Sequence, residues 1–245
     1  MCPGAAKRDV GHQNGGAVAL LEAEKLTKRF RSPRGEGRLV VDVPELALDR
    51  GDQVALHGGS GSGKTTFLNL IAGILRPDTG SVRFEDTELT GLSEGRLDRF
   101  RADHFGYVFQ TFHLLQGYTA LENVLLGMQF GPGPDRSRAR ELLERVGLSD
   151  RTHDRPAQLS VGQQQRVAVA RAVANRPRLV LADEPTGNLD PRSARDSLEL
   201  IREVCRENES ALLLVSHDRS VLDRFEDVRD FADINRALLP SEGAA

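Results

Sequence analysis

The chain has 245 residues, enough for one large α/β domain or two small domains with sizeable cores. Charged residues make up 28% of it and the formal net charge is only −3, so no basic surface favours nucleic acid as a partner. No apolar run approaches the length of a membrane span, and two cysteines, too few for a disulfide framework, favour a reduced, cytosolic protein.

The first part of the chain predicts a tail followed by short strands. Residues 1–19 are rich in glycine, alanine and polar side chains without periodicity, which predicts a disordered tail. A turn is predicted at 32–38 from its Gly, Pro and Arg content. The predicted strands are 20–30, 39–43, 46–48 and 81–84. We expect them to form a small antiparallel sheet beside the main core.

A glycine-rich segment fits the phosphate-binding pattern Gly-x-x-x-x-Gly-Lys-[Ser/Thr]. A short apolar strand at 53–57 precedes it, and a helix with an apolar stripe from Phe67 to Ile71 follows. In such a loop, backbone N–H groups surround phosphate oxygens and the helix N-terminus adds positive charge. An ordinary Gly/Ser-rich turn is the alternative, which the flanking strand and helix disfavour. The predicted triphosphate-binding residues are Gly58, Gly59, Ser60, Gly61, Ser62, Gly63, Lys64, Thr65 and Thr66.

The predicted secondary structure changes from strands to helices after a β-rich run at 106–110. Helical periodicity at 121–126 and 139–146 is interrupted by a Gly-Pro-Gly-Pro breaker, which predicts a helical insert over about 111–158. Two continuous apolar runs then predict parallel strands covered on both faces, at 179–182 and 211–215. Between those strands, an amphipathic helix is predicted, with Asp190 as N-cap and Pro191 as its first residue.

Polar residues follow the predicted strands at their carboxyl ends, where open parallel sheets bind ligands. Asp183 suits Mg²⁺, and Glu184 beside it is placed to polarise a water for attack on a γ-phosphate. Lys64 would contact the β- and γ-phosphates, while the Thr65 hydroxyl would bind Mg²⁺. Two further candidates are His217, to orient the water or contact the γ-phosphate, and Gln110, to complete the shell of metal and water. Alone, an Asp-Glu pair would indicate a solvated turn.

The segment Leu159–Gln163 has two compatible interpretations. Ser160 with Gln163 three residues later forms a capping box, which opens the following helix and needs no further function. The second interpretation is that another molecule's triphosphate meets this helix N-terminus, with Ser160 and the Gly162 N–H as donors.

Over about residues 20–235 the chain resembles the ATP-binding subunits of ABC transporters. The motifs that carry the resemblance occur in the family's order: the phosphate loop, Gln110 in the Q-loop, Leu159–Gln163 in the signature, Asp183-Glu184, Gly187–Asp190 in the D-loop, and His217. The resemblance implies the ABC ATPase fold, an α/β class with a RecA-like P-loop NTPase core, an N-terminal antiparallel β subdomain and an inserted helical subdomain. Residues 236–245 would form a C-terminal tail. Phe30 lies where the family has an aromatic that stacks on adenine; a core residue at a strand end is the alternative.

The resemblance also implies a head-to-tail homodimer that sandwiches two ATP molecules with Mg²⁺. Each ATP would lie between the phosphate loop of one subunit and the signature residues Ser160, Gly162 and Gln163 of the other, with Asp190 nearby. Val161 departs from the family, which usually has glycine there; activity is still expected. Separate integral-membrane permease subunits would hold the chain on the cytoplasmic face of the membrane.

Three segments resemble one branch of the family, the lipoprotein-releasing (LolD-like) and macrolide-exporter (MacB-like) ATPases: 109–115, 120–124 and 183–190. This branch works with four-span permeases that carry large extracytoplasmic domains, which implies export or extrusion. The alternative is an ATP-dependent regulatory clamp like FtsE, which signals through a permease-like partner without transport. Non-transport ABC ATPases of ribosomes or DNA carry a second cassette or a long coiled coil, which do not fit within 245 residues.

Overall fold

The computed structural model describes residues 19–31 and 37–238. The predicted tail at 1–19 lies outside the described residues except for Ala19, which is buried. Most of the predicted turn at 32–38 also lies outside them, although Gly37 and Arg38 already belong to a strand.

Within the described residues the chain forms nine strands and eight α-helices. The strands are β1 (Leu21–Arg31), β2 (Gly37–Leu48), β3 (Gln53–His57), β4 (Thr79–Phe84), β5 (Thr87–Glu88), β6 (Phe105–Val108), β7 (Leu179–Asp183), β8 (Ala211–Ser216) and β9 (Asp227–Asp230). The helices are α1 (Lys64–Ile71), α2 (Glu94–His104), α3 (Ala120–Met128), α4 (Arg136–Arg145), α5 (Val161–Ala172), α6 (Pro191–Glu207), α7 (Arg219–Leu222) and α8 (Phe231–Ile234). Short 3₁₀ helices occupy Ser149–Arg151, Pro156–Gln158 and Arg236–Leu238.

The first sheet is antiparallel, in the order β2-β1-β4-β5, as the sequence predicts. The prediction of two separate strands, at 39–43 and 46–48, is wrong. Strand β2 runs through both segments as one strand paired with β1. Pro44 has no N–H to donate, but β2 is an edge strand of this sheet, where a proline is tolerated.

The second sheet is parallel, in the order β6-β7-β8-β3-β9. Every residue of β7 and β8 is buried, which confirms the prediction from their continuous apolar sequences. Strand β9 was not predicted, because its sequence Asp-Val-Arg-Asp is short and mostly charged. It nevertheless pairs in register with β3, so that Asp230 lies beside His57.

The parallel sheet separates two hydrophobic cores. Successive side chains of a strand point to opposite faces, so Val180 and Ala182 join the core beneath the helices, whereas Leu179 and Leu181 join the core shared with the antiparallel sheet. Helices α3, α4 and α5 pack together in the first core. The helical layer therefore includes α5, which begins after the predicted insert ends at 158.

Where the sequence contains a capping signature, the helix begins at the predicted residue. Asp190 accepts hydrogen bonds from the Arg192 and Ser193 N–H groups and starts α6 at Pro191, as predicted. Helix α2 was missed because it buries only Leu97 and so has no apolar stripe. The first three residues of the predicted C-terminal tail form the 3₁₀ helix beside β2, and residues 239–245 lie outside the described chain.

We expect Gly106→Ala to lower the free energy of unfolding by about 1–3 kcal/mol, because a Cβ there would overlap the Ala172 carbonyl oxygen at the end of α5. The matched control is Gly95→Ala in the first turn of α2, where a Cβ has no neighbour within 4 Å and alanine favours the helix. Urea unfolding of both variants measures the difference. Equal stability of the two variants would contradict the close approach of β6 to α5.

Candidate functional site

The carboxyl ends of four parallel strands meet at one edge of the second sheet. Ladder pairing sets His57 beside Ser216, Asp183 beside Val215, and Val108 beside Ala182. The residues that follow these strands therefore lie close together, although they are up to about 160 positions apart in the sequence.

The predicted phosphate-binding loop, Gly58–Thr66, turns tightly between β3 and α1. The Ser62 N–H donates to the Gly59 carbonyl at 3.3 Å, and the Phe67 N–H donates to the Gly63 carbonyl at 2.8 Å. Gly63 has φ +97°, and a Cβ there would lie 2.8 Å from the Val40 carbonyl oxygen. Only glycine suits a position with both constraints.

Lys64 folds back over this loop. Its side chain is buried, and Nζ donates to the carbonyl oxygens of Gly58 at 2.6 Å and Gly59 at 2.9 Å. Glu184 Oε1 lies 3.8 Å from the same ammonium. A buried positive charge thus faces the glycine loop and the carboxylate after β7 together.

Thr65 and Asp183 form an oxygen-rich pair at the start of α1. The Thr65 hydroxyl donates to Asp183 Oδ1 at 3.1 Å. Burial raises the pKa of the Asp183 carboxyl, and this effect exceeds the lowering by the Thr65 hydrogen bond. The raised pKa reflects a carboxylate partly withdrawn from water, which favours a nearby cation.

Glu184 is held by residues at the end of β8 and directly after it. Its Oε2 accepts hydrogen bonds from the Ser216 hydroxyl at 3.0 Å and the His217 N–H at 3.3 Å, and His217 Nδ1 lies 2.7 Å from Oε1. The backbone of Glu184 has φ +45°, a conformation that costs energy for a residue with a side chain. The Glu184 N–H still bonds to the Val215 carbonyl at 3.0 Å, so the turn is anchored to the sheet.

Gln110 lies next to the loop that follows Glu184. A Cβ at Gly187 would be 3.4 Å from Gln110 Nε2, and the Gln110 carbonyl accepts a hydrogen bond from Asn188 Nδ2 at 2.9 Å. The structure thus brings Gln110 to the same edge as Asp183 and Glu184.

The predicted capping box is present at the start of α5. The Gln163 N–H donates to Ser160 Oγ at 3.3 Å, and the Ser160 N–H donates to Gln163 Oε1 at 2.9 Å. Val161 is the first residue of α5 and 49% exposed, so the departure from glycine leaves this helix start intact. Gly162 faces Ser193 near the start of α6.

The signature residues, Asp190 and Phe30 were also predicted to contact the nucleotide. Across the described residues, no hydrogen bond joins Gly58–Thr66 to Ser160, Gly162 or Gln163. The Asp190 side chain caps α6. Phe30, opposite Arg38 on β2, is 43% exposed, so the alternative of a buried core residue is wrong.

Two contributors to the site were not predicted. Ser216 bonds to Glu184, and Asn235 donates to the Ser62 carbonyl of the loop. The position of Ser216 at the end of an apolar strand, directly before His217, could have identified it as a candidate site residue. Asn235 offered none, because it lies in a segment without a motif.

The described ranges, 19–31 and 37–238, contain no helix both long enough and apolar enough to cross a membrane. These ranges also contain no cluster of three or more His, Cys, Asp or Glu side chains suited to a metal ion.

A glycine loop before a helix, at the carboxyl edge of a parallel sheet with a carboxylate pair at the end of the next strand but one, defines the class of P-loop nucleoside triphosphatases. The sequence pattern of the family described as ABC transporter matches residues 41–187. The chain belongs to the ABC transporter family and is an ATP-hydrolysing cassette.

Relatives support this assignment over most of the chain. The chain is 39% identical over 213 residues to the lipoprotein-releasing system ATP-binding protein LolD of Idiomarina loihiensis, covering 86% of this chain and 93% of that protein. It is 46% identical over 214 residues to LolD 2 of Rhodospirillum rubrum, covering 84% and 91%. It is 38% identical over 222 residues to the macrolide export ATP-binding/permease protein MacB of Azoarcus sp., covering 89% of this chain but 34% of that protein. The chain therefore spans about a third of the length of MacB.

A solved structure shares the fold. The dimeric ATP-binding cassette MJ0796 in a post-hydrolysis state, bound to ADP and Pi, has a TM-score of 0.78 and 34% identity over 86% of this chain and 93% of its own. This likeness confirms the predicted fold class.

We expect Lys64→Ala to weaken ATP binding by about tenfold or more, because a charge-assisted contact to phosphate is lost. Lys25→Ala is the matched control, since Lys25 is exposed on β1. Titration of both variants with ATP tests the expectation. Unchanged affinity in Lys64→Ala would refute the role assigned to this ammonium.

Proposed function

We propose that this chain is the ATP-driven motor subunit of an export or extrusion machine whose permease subunits are separate integral-membrane chains. The observation that carries the proposal is the Glu184 carboxylate, set between the Lys64 ammonium and His217 at the end of β7. The LolD relatives, matched over nearly their whole length, support the pairing with separate membrane subunits.

The phosphate loop fits a triphosphate on physical grounds. Ser62 Oγ is buried and, among the described residues, has no hydrogen-bond partner. A Cβ at Gly58 would lie 3.0 Å from that oxygen and 3.3 Å from Lys64 Cδ, so the glycine leaves room that a side chain would fill. We assign the phosphates to Gly58–Thr66 and the adenine to the exposed ring of Phe30.

The donor set beside the loop fits Mg²⁺. A hydroxyl, a carboxylate and an amide oxygen are hard ligands of the kind this ion prefers, and Thr65, Asp183 and Gln110 would supply them. When bound, the ion neutralises charge on the phosphate oxygens. The proximity of Thr65 to Asp183 supports this assignment.

Glu184 acts as the base in the proposed hydrolysis. Its carboxylate takes a proton from the water as the water oxygen bonds to the γ-phosphorus, and the bond from that phosphorus to ADP breaks, while Lys64 holds the phosphates. His217, whose Nδ1 is 2.7 Å from Oε1, orients the carboxylate, and Gln110 completes the arrangement around the water. Ser216 fixes the other carboxylate oxygen, so that the base has one orientation.

The signature residues serve a second copy of the chain. Ser160, Gly162 and Gln163 form no hydrogen bond to the phosphate loop of their own chain in the part the structure describes, so we propose that they face the nucleotide of a partner in a head-to-tail homodimer. Asp190 lies in the same interface, before α6. The dimeric cassette MJ0796 supports this arrangement.

We predict that Glu184→Gln keeps ATP binding, slows hydrolysis by about 10²–10⁴-fold and accumulates as a closed dimer, because the base is lost while the phosphate contacts remain. The control is Glu209→Gln, which changes an exposed glutamate that also has positive φ but lies after α6. Gel filtration in ATP and Mg²⁺ measures the dimer. A Glu184→Gln chain that still elutes as a monomer would contradict the sandwich.

The permease contact is assigned to exposed apolar side chains at the N-terminal end of α3. Leu115 and Tyr118 are 43% and 46% exposed in the segment that links Gln110 to this helix. Contact there would connect a membrane partner to the nucleotide site through Gln110. It would also hold the chain on the cytoplasmic face of the membrane, without a role for nucleic acid.

We expect the tagged chain, purified from detergent-solubilised native membranes, to retain a four-span permease with a large extracytoplasmic domain, and Tyr118→Ala to retain several-fold less of it because an apolar contact is removed. Phe130→Ala is the matched control: Phe130 is 74% exposed but lies beyond the opposite end of α3, a helix about 13 Å long. Mass spectrometry identifies and quantifies what co-purifies. Ribosomes or DNA-repair factors in place of a permease would favour a non-transport ABC ATPase.

A further inference from the structure

Asn235, between α8 and the last 3₁₀ helix, is wholly buried and joins three segments of the chain. Its Nδ2 donates to the carbonyl oxygens of Val40 at 2.9 Å and Ser62 at 3.2 Å. Its Oδ1 accepts from the N–H groups of Asp42 at 2.7 Å and Ala237 at 3.3 Å. A side-chain amide has two donor hydrogens and one oxygen with two lone pairs, so all four capacities are used.

The bond to Ser62 determines how the phosphate loop presents its backbone. The Ser62–Gly63 peptide is trans, so its carbonyl and the Gly63 N–H point in opposite directions. Because Asn235 holds the carbonyl, the Gly63 N–H must face away from Asn235. Backbone N–H groups are what a phosphate loop offers to its ligand, so the fixed carbonyl aims one of these donors.

Asn235 also fixes the loop against β2. The Val40 carbonyl that accepts from Nδ2 is the same oxygen that Gly63 approaches so closely that a Cβ there would lie 2.8 Å from it. Strand β2 pairs with β1 through Arg38 and Phe30. One side chain therefore links the phosphate loop to the strand pair that carries Phe30.

The residues before Asn235 support the other end of the loop. Asp230 pairs with His57, the last residue before the loop, and its Oδ2 lies 3.6 Å from His57 Nδ1. Phe231 is buried against Phe67 of α1, with ring centroids 5.4 Å apart, and its Cβ would touch a side chain at Gly58. The segment Asp227–Leu238 thus contacts the loop at both ends, although the family pattern ends at residue 187.

We propose that Asn235 is a positioning residue for the phosphate-binding loop and sets the affinity for the triphosphate by orienting the Gly63 N–H. This inference rests on the proposed nucleotide site. Asn235 touches no reacting atom; it acts through the Ser62 carbonyl.

The test compares the full-length chain with Asn235→Ala in ATP titrations and in steady-state hydrolysis. We expect the Kd and KM for ATP to rise by about tenfold or more, the effect of one hydrogen bond to a charged group, while kcat at saturating ATP stays close to wild type. A side chain with only a structural role would instead lower the folded fraction. That would reduce the apparent kcat and leave KM unchanged, which would overturn the proposal.

Asn123→Ala is the matched control. Asn123 is also wholly buried, and its amide bonds to backbone groups of Leu115, Tyr118 and Thr119, far along the chain from the loop. We expect its Kd for ATP to equal that of the wild type. If both asparagine variants lose affinity alike, the loss is a general effect of a weakened fold and the proposal fails.

Asn235→Ser provides a second variant if the alanine chain does not fold, since its hydroxyl keeps a polar group in this buried place. The serine oxygen stops one bond short of the Nδ2 position and so loses the bond to the Ser62 carbonyl, and we expect Kd to rise as for alanine. Wild-type affinity in the folded serine chain would overturn the proposal. A failure of the nucleotide site itself is recognised separately. In that case the wild type does not bind ATP, or Lys64→Ala binds ATP as tightly as the wild type. Neither result depends on Asn235.

Discussion

The in-register ladder of β7, β8 and β3 is the constraint on which the rest of the molecule depends. Backbone hydrogen bonds place His57, Asp183 and Ser216 at one edge of the sheet, and each strand is followed by a segment with candidate site residues. The side chains at this edge are therefore brought together by the strand register. Thr65 reaches Asp183, and Ser216 reaches Glu184, because the strands that carry or precede them are already aligned. A slip of one residue would turn every buried side chain of these strands to the opposite core.

The two hydrophobic cores hold the carboxyl edge of the parallel sheet in different ways. The antiparallel sheet and α1 hold the phosphate loop from one side, whereas the helical layer reaches the edge through the segment after Gln110. Arg171 of α5 makes this second connection: its guanidinium donates to the carbonyls of Phe112 and His113, each at 2.7 Å. Partial burial lowers the pKa of Arg171, because withdrawal from water disfavours the charged guanidinium. The helix that starts at Ser160 is thereby tied to the segment that carries Gln110.

Local sequence patterns predicted the elements whose burial follows a simple rule. Strands β7 and β8 are covered on both faces, and Ser160 and Asp190 occupy caps with their own residue signatures, so these were predictable. Helix α2 buries one leucine and β9 is mostly charged, so neither has a periodic pattern. Candidate site residues were found where they follow an apolar strand. Asn235 was not, because its partners, Val40 and Ser62, lie more than 170 positions away and nothing in its own segment encodes them.

The last 3₁₀ helix offers a position for a fluorescent label. The Leu238 N–H bonds to the Asn235 carbonyl, yet its side chain is 37% exposed. A cysteine introduced there in a Cys2→Ser background could be labelled selectively, because burial raises the pKa of Cys205 to about 12 and keeps that thiol unreactive. A fluorophore on it would lie outside the nucleotide site and one short turn from the side chain that holds the loop. A change of its emission on addition of unmodified ATP would show that this segment responds when the loop is occupied.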